Sequence, residues 1–441
     1  MALPNILIRP AATISRSITV LLWPCALCGQ IQEAQSAWNS ERALALVGQA
    51  RDLRQVTAVD SAFQAYQADA HGYVYFFFDP TDSAERTLIK IDQMALEVSW
   101  QAPRQTKQHV IGRRDVKELP TNISYHLDHL TVVLDDFGDL IRLGNGDEVE
   151  AVVHPAAPGA DSIYDYHLAD SLTVTLPAPT PDLRVYELEV RPKDPSTPGV
   201  IGSLFVQRGT GAIVRLSFTF TPAAYVDRSL DFIRISMDNS LWNGKYWLPY
   251  QQEIELRREL PIIEFLGGSI IRGRFQIRNY RFNPALPEDF FLGRAVTSVP
   301  EDELGGFPFE SGLYDQLAAD GLDPSPQIEA IRDQAMAVLG QQYLSGLTPS
   351  RLHVPSVSSV YRYNRAEGSF VGGGASFRLG PTWRLLSRAG YAFGWKNGQL
   401  AVDLRSSPTL DGLRVGAWWN ELQNASGRLP GASSAVSTLT G

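Results

Sequence analysis

His126 and His129, with Tyr125, Asp128, Asp135, Asp136 and His154 nearby in sequence, have the side chains that bind zinc or iron. Their spacing argues against a metal site. Residues three apart share a helix face but point to opposite faces of a strand, and Leu130 to Leu134 has the composition of a strand. We therefore expect Tyr125 to His129 to be polar residues satisfied on a sheet, with a metal-dependent enzyme as the lesser alternative. Cys25 and Cys28 are two apart, but nothing around them reads as a folded redox or zinc site. The chain has no H-E-x-x-H, no G-x-S-x-G and no phosphate-binding loop. No catalytic residue, cofactor site or metal ligand is assigned, and the expectation is a protein that is not an enzyme.

Both cysteines instead fall within an export signal. Arg9 and Arg16 precede an apolar run from Ile18 to Leu27, and Ala34-Gln35-Ser36 follows with small residues at its first and last positions. Interrupted by Pro24, that run is far shorter than the ~20 residues of a spanning helix. Residues 1–36 therefore read as a signal peptide cleaved after Ser36, leaving a mature chain without cysteine. Leu27 is too bulky for the position before a lipoprotein cysteine at Cys28.

The 441 residues exceed what one core usually organises, so several domains are expected. A content of 44% apolar and 20% charged residues suits a folded chain, and a net charge of −9 excludes a broad basic field for nucleic acid. The fold class is mainly β. Residues 37–180 form a β-rich region behind one short helix, in which Ser40 is the N-cap and Ala43, Leu46, Val47 and Ala50 share a face. Tyr73 to Phe78 is an unbroken apolar run, and Leu96, Val98 and Trp100 alternate with polar residues. Gly144-Asn145-Gly146-Asp147 predicts a hairpin turn.

Residues 181–283 read as one antiparallel sheet, with Tyr186, Leu188 and Val190 opposing Glu187, Glu189 and Arg191. Likewise Val214, Leu216, Phe218 and Phe220 oppose Arg215, Ser217 and Thr219, and Ile271, Phe275 and Ile277 oppose Arg272, Arg274 and Arg278. Glu253 and Glu255 are cross-strand partners for that basic row, which we expect to face solvent. Residues 284–350 follow as a linker rich in Pro, Gly and acidic residues, then an amphipathic helix carrying Ile328, Ile331, Ala335, Val338 and Leu339.

The final region, 351–441, has strands of about ten residues that suit an outer-membrane β-barrel. Four are expected: one from Gly368 to Leu379, one from Trp383 to Gly394, and two alternating around Leu400-Val402-Leu404 and Leu413-Val415-Ala417-Trp419. Trp383, Leu385, Ala389, Tyr391 and Phe393 share one face, opposite Arg384, Arg388, Gly390 and Ala392. Trp383, Trp395, Trp418 and Trp419 lie near strand ends, as in an aromatic girdle. Closed membrane barrels need about eight strands, so the chain is expected to be truncated within the barrel.

Tyr361-Arg-Tyr-Asn-Arg-Ala-Glu-Gly368, followed by a Gly-rich strand, resembles the opening strand of BamA/TamA-like bacterial surface-antigen barrels. It resembles in particular those members, of uncharacterised function, that place a periplasmic β domain before the barrel. Gly244-Lys-Tyr-Trp-Leu-Pro-Tyr250 is similar to the half-barrel of LolA-type lipoprotein carriers. Together these resemblances imply a cell outer membrane protein with its N-terminal domain in the periplasm, acting in envelope assembly or in transport of lipid or polypeptide. The implied partners are outer-membrane lipid, a lipid or polypeptide cargo, and the barrel-assembly machinery. The alternative is a wholly periplasmic LolA-like binding module for an apolar ligand.

Overall fold

Period-two alternation over long stretches builds two large sheets, and a computed structural model describes residues 38–58, 60–80, 86–103, 105–117, 138–174, 183–265, 267–309, 325–339, 344–365, 367–380, 383–406 and 414–419. The expected signal peptide, both cysteines and Tyr125 to Asp136 lie outside these residues. The first helix, α1 (Glu41–Ala58), buries the four residues its spacing selects, Ala43, Leu46, Val47 and Ala50. Ser40 caps it, its Oγ accepting the Ala43 N–H at 3.3 Å.

The strands that follow are β1 (Ala65–Pro80), β2 (Thr87–Gln101), β3 (Gln105–Lys117), β4 (Leu140–Leu143), β5 (Val149–Val153), β6 (Tyr164–Val174) and β7 (Leu183–Pro192). After them come β8 (Val200–Gln207), β9 (Ile213–Phe220), β10 (Leu230–Trp242), β11 (Tyr246–Arg258), β12 (Ile263–Phe265), β13 (Gly267–Phe282) and β14 (Val296–Ser298). Eleven of them form one sheet in the order β14-β3-β2-β1-β13-β11-β10-β9-β8-β7-β6. All neighbours are antiparallel except β14, which lies parallel to β3. β4 and β5 make a separate hairpin, turned by a single 3-10 turn at Gly144–Gly146.

This topology corrects two expected boundaries. Because β1 pairs with β13, residues 37–180 and 181–283 are not separate bodies but halves of one sheet. Gly72 permits that pairing: a Cβ there would lie 2.0 Å from the Arg274 carbonyl oxygen. The expected linker also supplies a strand, β14.

One face of the sheet, with α1 and the β4–β5 hairpin, forms a single apolar cluster holding Val74, Leu96, Leu188, Phe218 and Phe275 among others. The opposite face is partly covered too, which explains the unbroken apolar run in β1. Val74 and Phe76 join the main cluster, whereas Tyr73, Tyr75 and Phe77 join a second cluster on the other side with Ile91 and Ile270. Val214 departs from its expected row, packing with Val185 and Phe205 next to a register shift at Val206. The helix α2 (Pro326–Leu339) buries Ile328, Ile331 and Ala335 and lies against β8, β9 and β10. No described helix is long and apolar enough to cross a bilayer.

The second sheet adds β15 (Ser350–Val354), β16 (Tyr361–Asn364), β17 (Gly368–Leu379), β18 (Trp383–Ala392), β19 (Asn397–Ser406) and β20 (Arg414–Trp419). Its order is β12-β15-β17-β18-β19-β20, with β16 also paired to β17. The four expected segments are present, and β12, β15 and β16 extend them.

Candidate functional site

In the second sheet one face is apolar and exposed. Register places Val371 beside Tyr391, Phe377 beside Leu385 and Leu404, and Ala389 beside Leu400, so these residues share a face. Val371 and Leu400 are about half exposed, at 50% and 48%, and Tyr391, Phe393 and Trp383 are exposed as well. The other face is mixed: Ser376, Gln399 and Asp403 are buried there, at 2%, 8% and 5% exposure, together with Phe370, Leu386, Ala392 and Ala401. The two faces are therefore composed as the alternation predicts.

The polar face is held by specific contacts. Glu367 accepts from Arg362 Nε at 3.0 Å and Nη2 at 2.6 Å, from Asn364 Nδ2 at 2.9 Å and from Gln399 Nε2 at 3.0 Å. Asn364 Oδ1 in turn accepts the Glu367 N–H at 2.7 Å, closing the β16–β17 turn. The Arg362 guanidinium lies 3.5 Å from the centre of the Phe370 ring. Phe370 itself fills the place of a side chain at Gly390, where a Cβ would come within 2.1 Å of it. The resembling Tyr361–Gly368 run is thus a local clamp that folds the first hairpin of this sheet.

A buried ionic chain joins the two sheets. Arg257 on β11 bonds Asp79 at 2.6 Å and Asp231 at 2.7 Å, and contacts Glu259. Arg351 on β15 contacts Glu259 and lies 3.5 Å from Glu264. Arg384 on β18 and His353 on β15 also meet Glu264, and Arg378 on β17 reaches Asp231 at 3.5 Å. Burial raises the Asp231 pKa, but Arg378, Arg257 and the Ser345 hydroxyl outweigh it and hold the carboxyl at about 2. Sequence reasoning missed these residues because their partners are far apart in the chain; Arg351 and Glu259 are separated by 92 positions.

The basic row of β13 finds its expected partners but not its expected environment. Register pairs Glu253 with Arg274 and Glu255 with Arg272. Yet Arg272 is 1% exposed and Glu255 0%, so the pair is buried rather than solvated. Ser325, just before α2, donates its N–H to Glu253 at 3.2 Å, which shows how the helix start seals that side.

Of the sequence-derived metal candidates, only His154 is described. It is buried, its Nδ1 accepts the Ala156 N–H at 2.9 Å, and its Nε2 faces Arg54 Nη1 at 3.2 Å. Burial first and then the Arg54 charge hold its pKa well below the ordinary value, so the ring is neutral. Nearby Glu148 contacts Arg258, but burial outweighs that cation and pushes its pKa up to about 7. Among the described residues no three His, Cys, Asp or Glu side chains are grouped to hold a metal ion.

A family model described as a family of unknown function (DUF5686) matches residues 75–270, the span from β1 to β13. No curated protein matches the chain. Among solved structures, a putative outer membrane lipoprotein-sorting protein domain from Vibrio parahaemolyticus is similar at 14% identity, covering 58% of this chain and 97% of its own, with a TM-score of 0.26. MucB is similar at 12% identity over 80% of each chain, with a TM-score of 0.18. The Pseudomonas aeruginosa MucA/MucB complex gives 12% identity over 84% of this chain and 92% of that one, with a TM-score of 0.16.

Proposed function

We propose that this chain is an exported envelope protein whose second sheet supplies lipid-facing strands of an outer-membrane β-barrel and whose eleven-stranded sheet is a periplasmic domain. The observation that carries the reading is the apolar exposed face of the second sheet, set against a mixed inner face where Ser376, Gln399 and Asp403 are buried beside Phe370, Leu386, Ala392 and Ala401. In water a broad exposed apolar face is an aggregation liability, whereas lipid-facing strands require one. The exposed Trp383, Trp395 and Tyr391 near strand ends fit an interfacial girdle. The ionic chain through Arg257, Arg351 and Glu264 would then fix the periplasmic sheet to the barrel for a role in lipid or polypeptide handling. Expression of the full chain in a double-membraned bacterium tests this. Recovery in the outer-membrane fraction, extractable only with detergent, is expected, and a soluble periplasmic product would overturn it.

A second reading, a carrier of an apolar ligand, is favoured by the way α1 is held. The helix buries only Ala43, Leu46, Val47 and Ala50 against the inner face. Its other ties are polar: Arg42 to the Tyr186 hydroxyl at 2.7 Å and Arg54 to the Gly138 carbonyl at 2.7 Å. Such a helix could give way to an acyl chain. Delipidated protein that takes up a fluorescent fatty acid with displacement of α1 would support this reading over the first.

A further inference from the structure

We infer that the connection between β11 and β13, a part of the first sheet's own chain, inserts its tip into the lipid interface beside the second sheet. The partner is the boundary between acyl chains and headgroups of one bilayer leaflet, and the inference rests on the lipid-facing reading of the second sheet. The tip is Leu260-Pro261-Ile262-Ile263, four residues without a polar side chain. Leu260 and Ile262 are 56% and 70% exposed, and Leu352, beside Ile263 on β15, is 52% exposed. The charged residues on either side of the tip turn inward. Glu259 and Glu264 are buried, and they meet Arg257, Arg351 and Arg384. Every charge is thus withdrawn from the tip, and a contiguous aliphatic patch is left outside, which marks an interaction surface.

The second support is the backbone. Lipid offers no hydrogen bonds, so an inserted segment must find protein partners for its polar backbone groups. Leu260 O accepts from Arg351 Nη1 at 3.4 Å, Pro261 O from Thr348 Oγ1 at 3.3 Å and Ile262 O from the Leu352 N–H at 2.9 Å. Pro261 has no N–H to satisfy. Three successive carbonyls beneath exposed aliphatic side chains are therefore tied to protein, which water would not require. Register sets the depth. Ile263 pairs with Leu352, Leu352 with Ala375 and Ser350 with Phe377, so the tip continues the apolar face and lies toward Leu379. Leu379 pairs with Trp383, the exposed ring at that end of the sheet. Tryptophan favours the boundary between acyl chains and headgroups, which places the tip at the same shallow level. A protein partner fits less well, because protein interfaces are rich in Tyr, Trp, Arg and hydrogen bonds, none of which the tip supplies.

Quenching of a fluorescent label by spin-labelled lipid tests the inference. The full chain, with Cys25→Ser and Cys28→Ser, is folded into mixed phosphatidylcholine and phosphatidylglycerol vesicles and carries nitrobenzoxadiazole through Ile262→Cys, Leu400→Cys or Arg208→Cys. Arg208 lies in the exposed turn between β8 and β9, at the far end of the first sheet, and is the reference for water. The label at Ile262 should emit further to the blue and be quenched several-fold more than the label at Arg208. A spin label near the headgroup should quench it more than one near the chain end. Stronger quenching from the chain end would overturn the shallow assignment, and quenching no greater than at Arg208 would overturn the inference as a whole. The Leu400 label separates the two failures. If it is quenched while Ile262 is not, the lipid-facing sheet stands without an inserted tip, and if neither is quenched, the reading beneath the inference falls with it.

Discussion

Replacing Arg272 by Met removes the cation from a buried ionic cluster while keeping the length of the side chain. Arg272 is 1% exposed, bonds Glu255 through Nε at 3.0 Å and Nη2 at 2.5 Å, and lies 4.0 Å from Glu253. Breaking a buried pair typically costs about 3–5 kcal/mol, because the remaining charge is left without its partner. Here the low end applies. Glu255 keeps Arg234 at 3.2 Å and Arg86 at 3.7 Å, and Glu253 keeps Arg274 at 3.5 Å and the Ser325 N–H. We therefore expect a loss of about 3 kcal/mol, read as a lower urea midpoint by tryptophan fluorescence. Adding Glu255→Gln to the Met variant should restore part of it, since the uncompensated charge is then gone. A loss within about 0.5 kcal/mol would mean that the row is solvated after all.

Three further outcomes follow from local geometry. Ser40→Ala should cost about 0.5–1 kcal/mol and speed hydrogen exchange in α1 only, since the cap bond is long at 3.3 Å. Gly72→Ala should destabilise the sheet by about 1–3 kcal/mol or more, because the methyl group meets the Arg274 carbonyl across β1 and β13, and thermal melting would show it. On acidification two groups oppose each other. His154, held below its ordinary 6.5, makes the fold lose stability as pH falls through and below that value, whereas Glu148, raised from 4.5 to about 7, makes it gain stability as pH falls from about 7 to 4.5. Urea midpoints across this range should therefore fall less on acidification in His154→Gln and fall more in Glu148→Gln, and parallel curves for wild type and both variants would refute the assignment.

Much of the local structure was legible because it depends on near neighbours. The cap and spacing of α1, the helix around Ile328 and the alternating faces of β17 to β19 all follow from residues within a turn or two of one another. What lies above a strand is not written in the strand. Alternation put Arg272 on one side of β13 but said nothing of α2, whose start near Ser325 covers that side. The unbroken apolar run of β1 was read as strand, yet its meaning, burial on both faces, needed the second cluster around Ile91 and Ile270. The β1–β13 pairing that merges two expected domains joins residues about two hundred positions apart, beyond any local signal. For the same reason the Arg351–Glu259 joint is invisible in the sequence, whereas the Tyr361–Gly368 motif is visible there but its clamp, which needs Gln399, is not.

The central claim, that the exposed face of the second sheet meets lipid, is tested most directly by Val402→Arg. Val402 lies mid-strand in β19, beside Ser387 and Ala417 and on the face of the half-exposed Leu400. The opposite face makes a poor control, because Gln399 and Asp403 are tied to Glu367 and to two arginines, so arginine there would break contacts in any solvent. Facing water, Val402→Arg should change stability by no more than about 0.5 kcal/mol. Facing lipid near the midplane, it should cost about 2–4 kcal/mol, and Leu400→Arg, nearer the strand end, should cost less. Urea titration of the full chain folded in phospholipid vesicles, followed by heat-modifiable gel mobility, measures both. A loss of about 2–4 kcal/mol at Val402 with a smaller one at Leu400 is the predicted result, and equal stability of both variants and wild type would contradict the lipid-facing assignment.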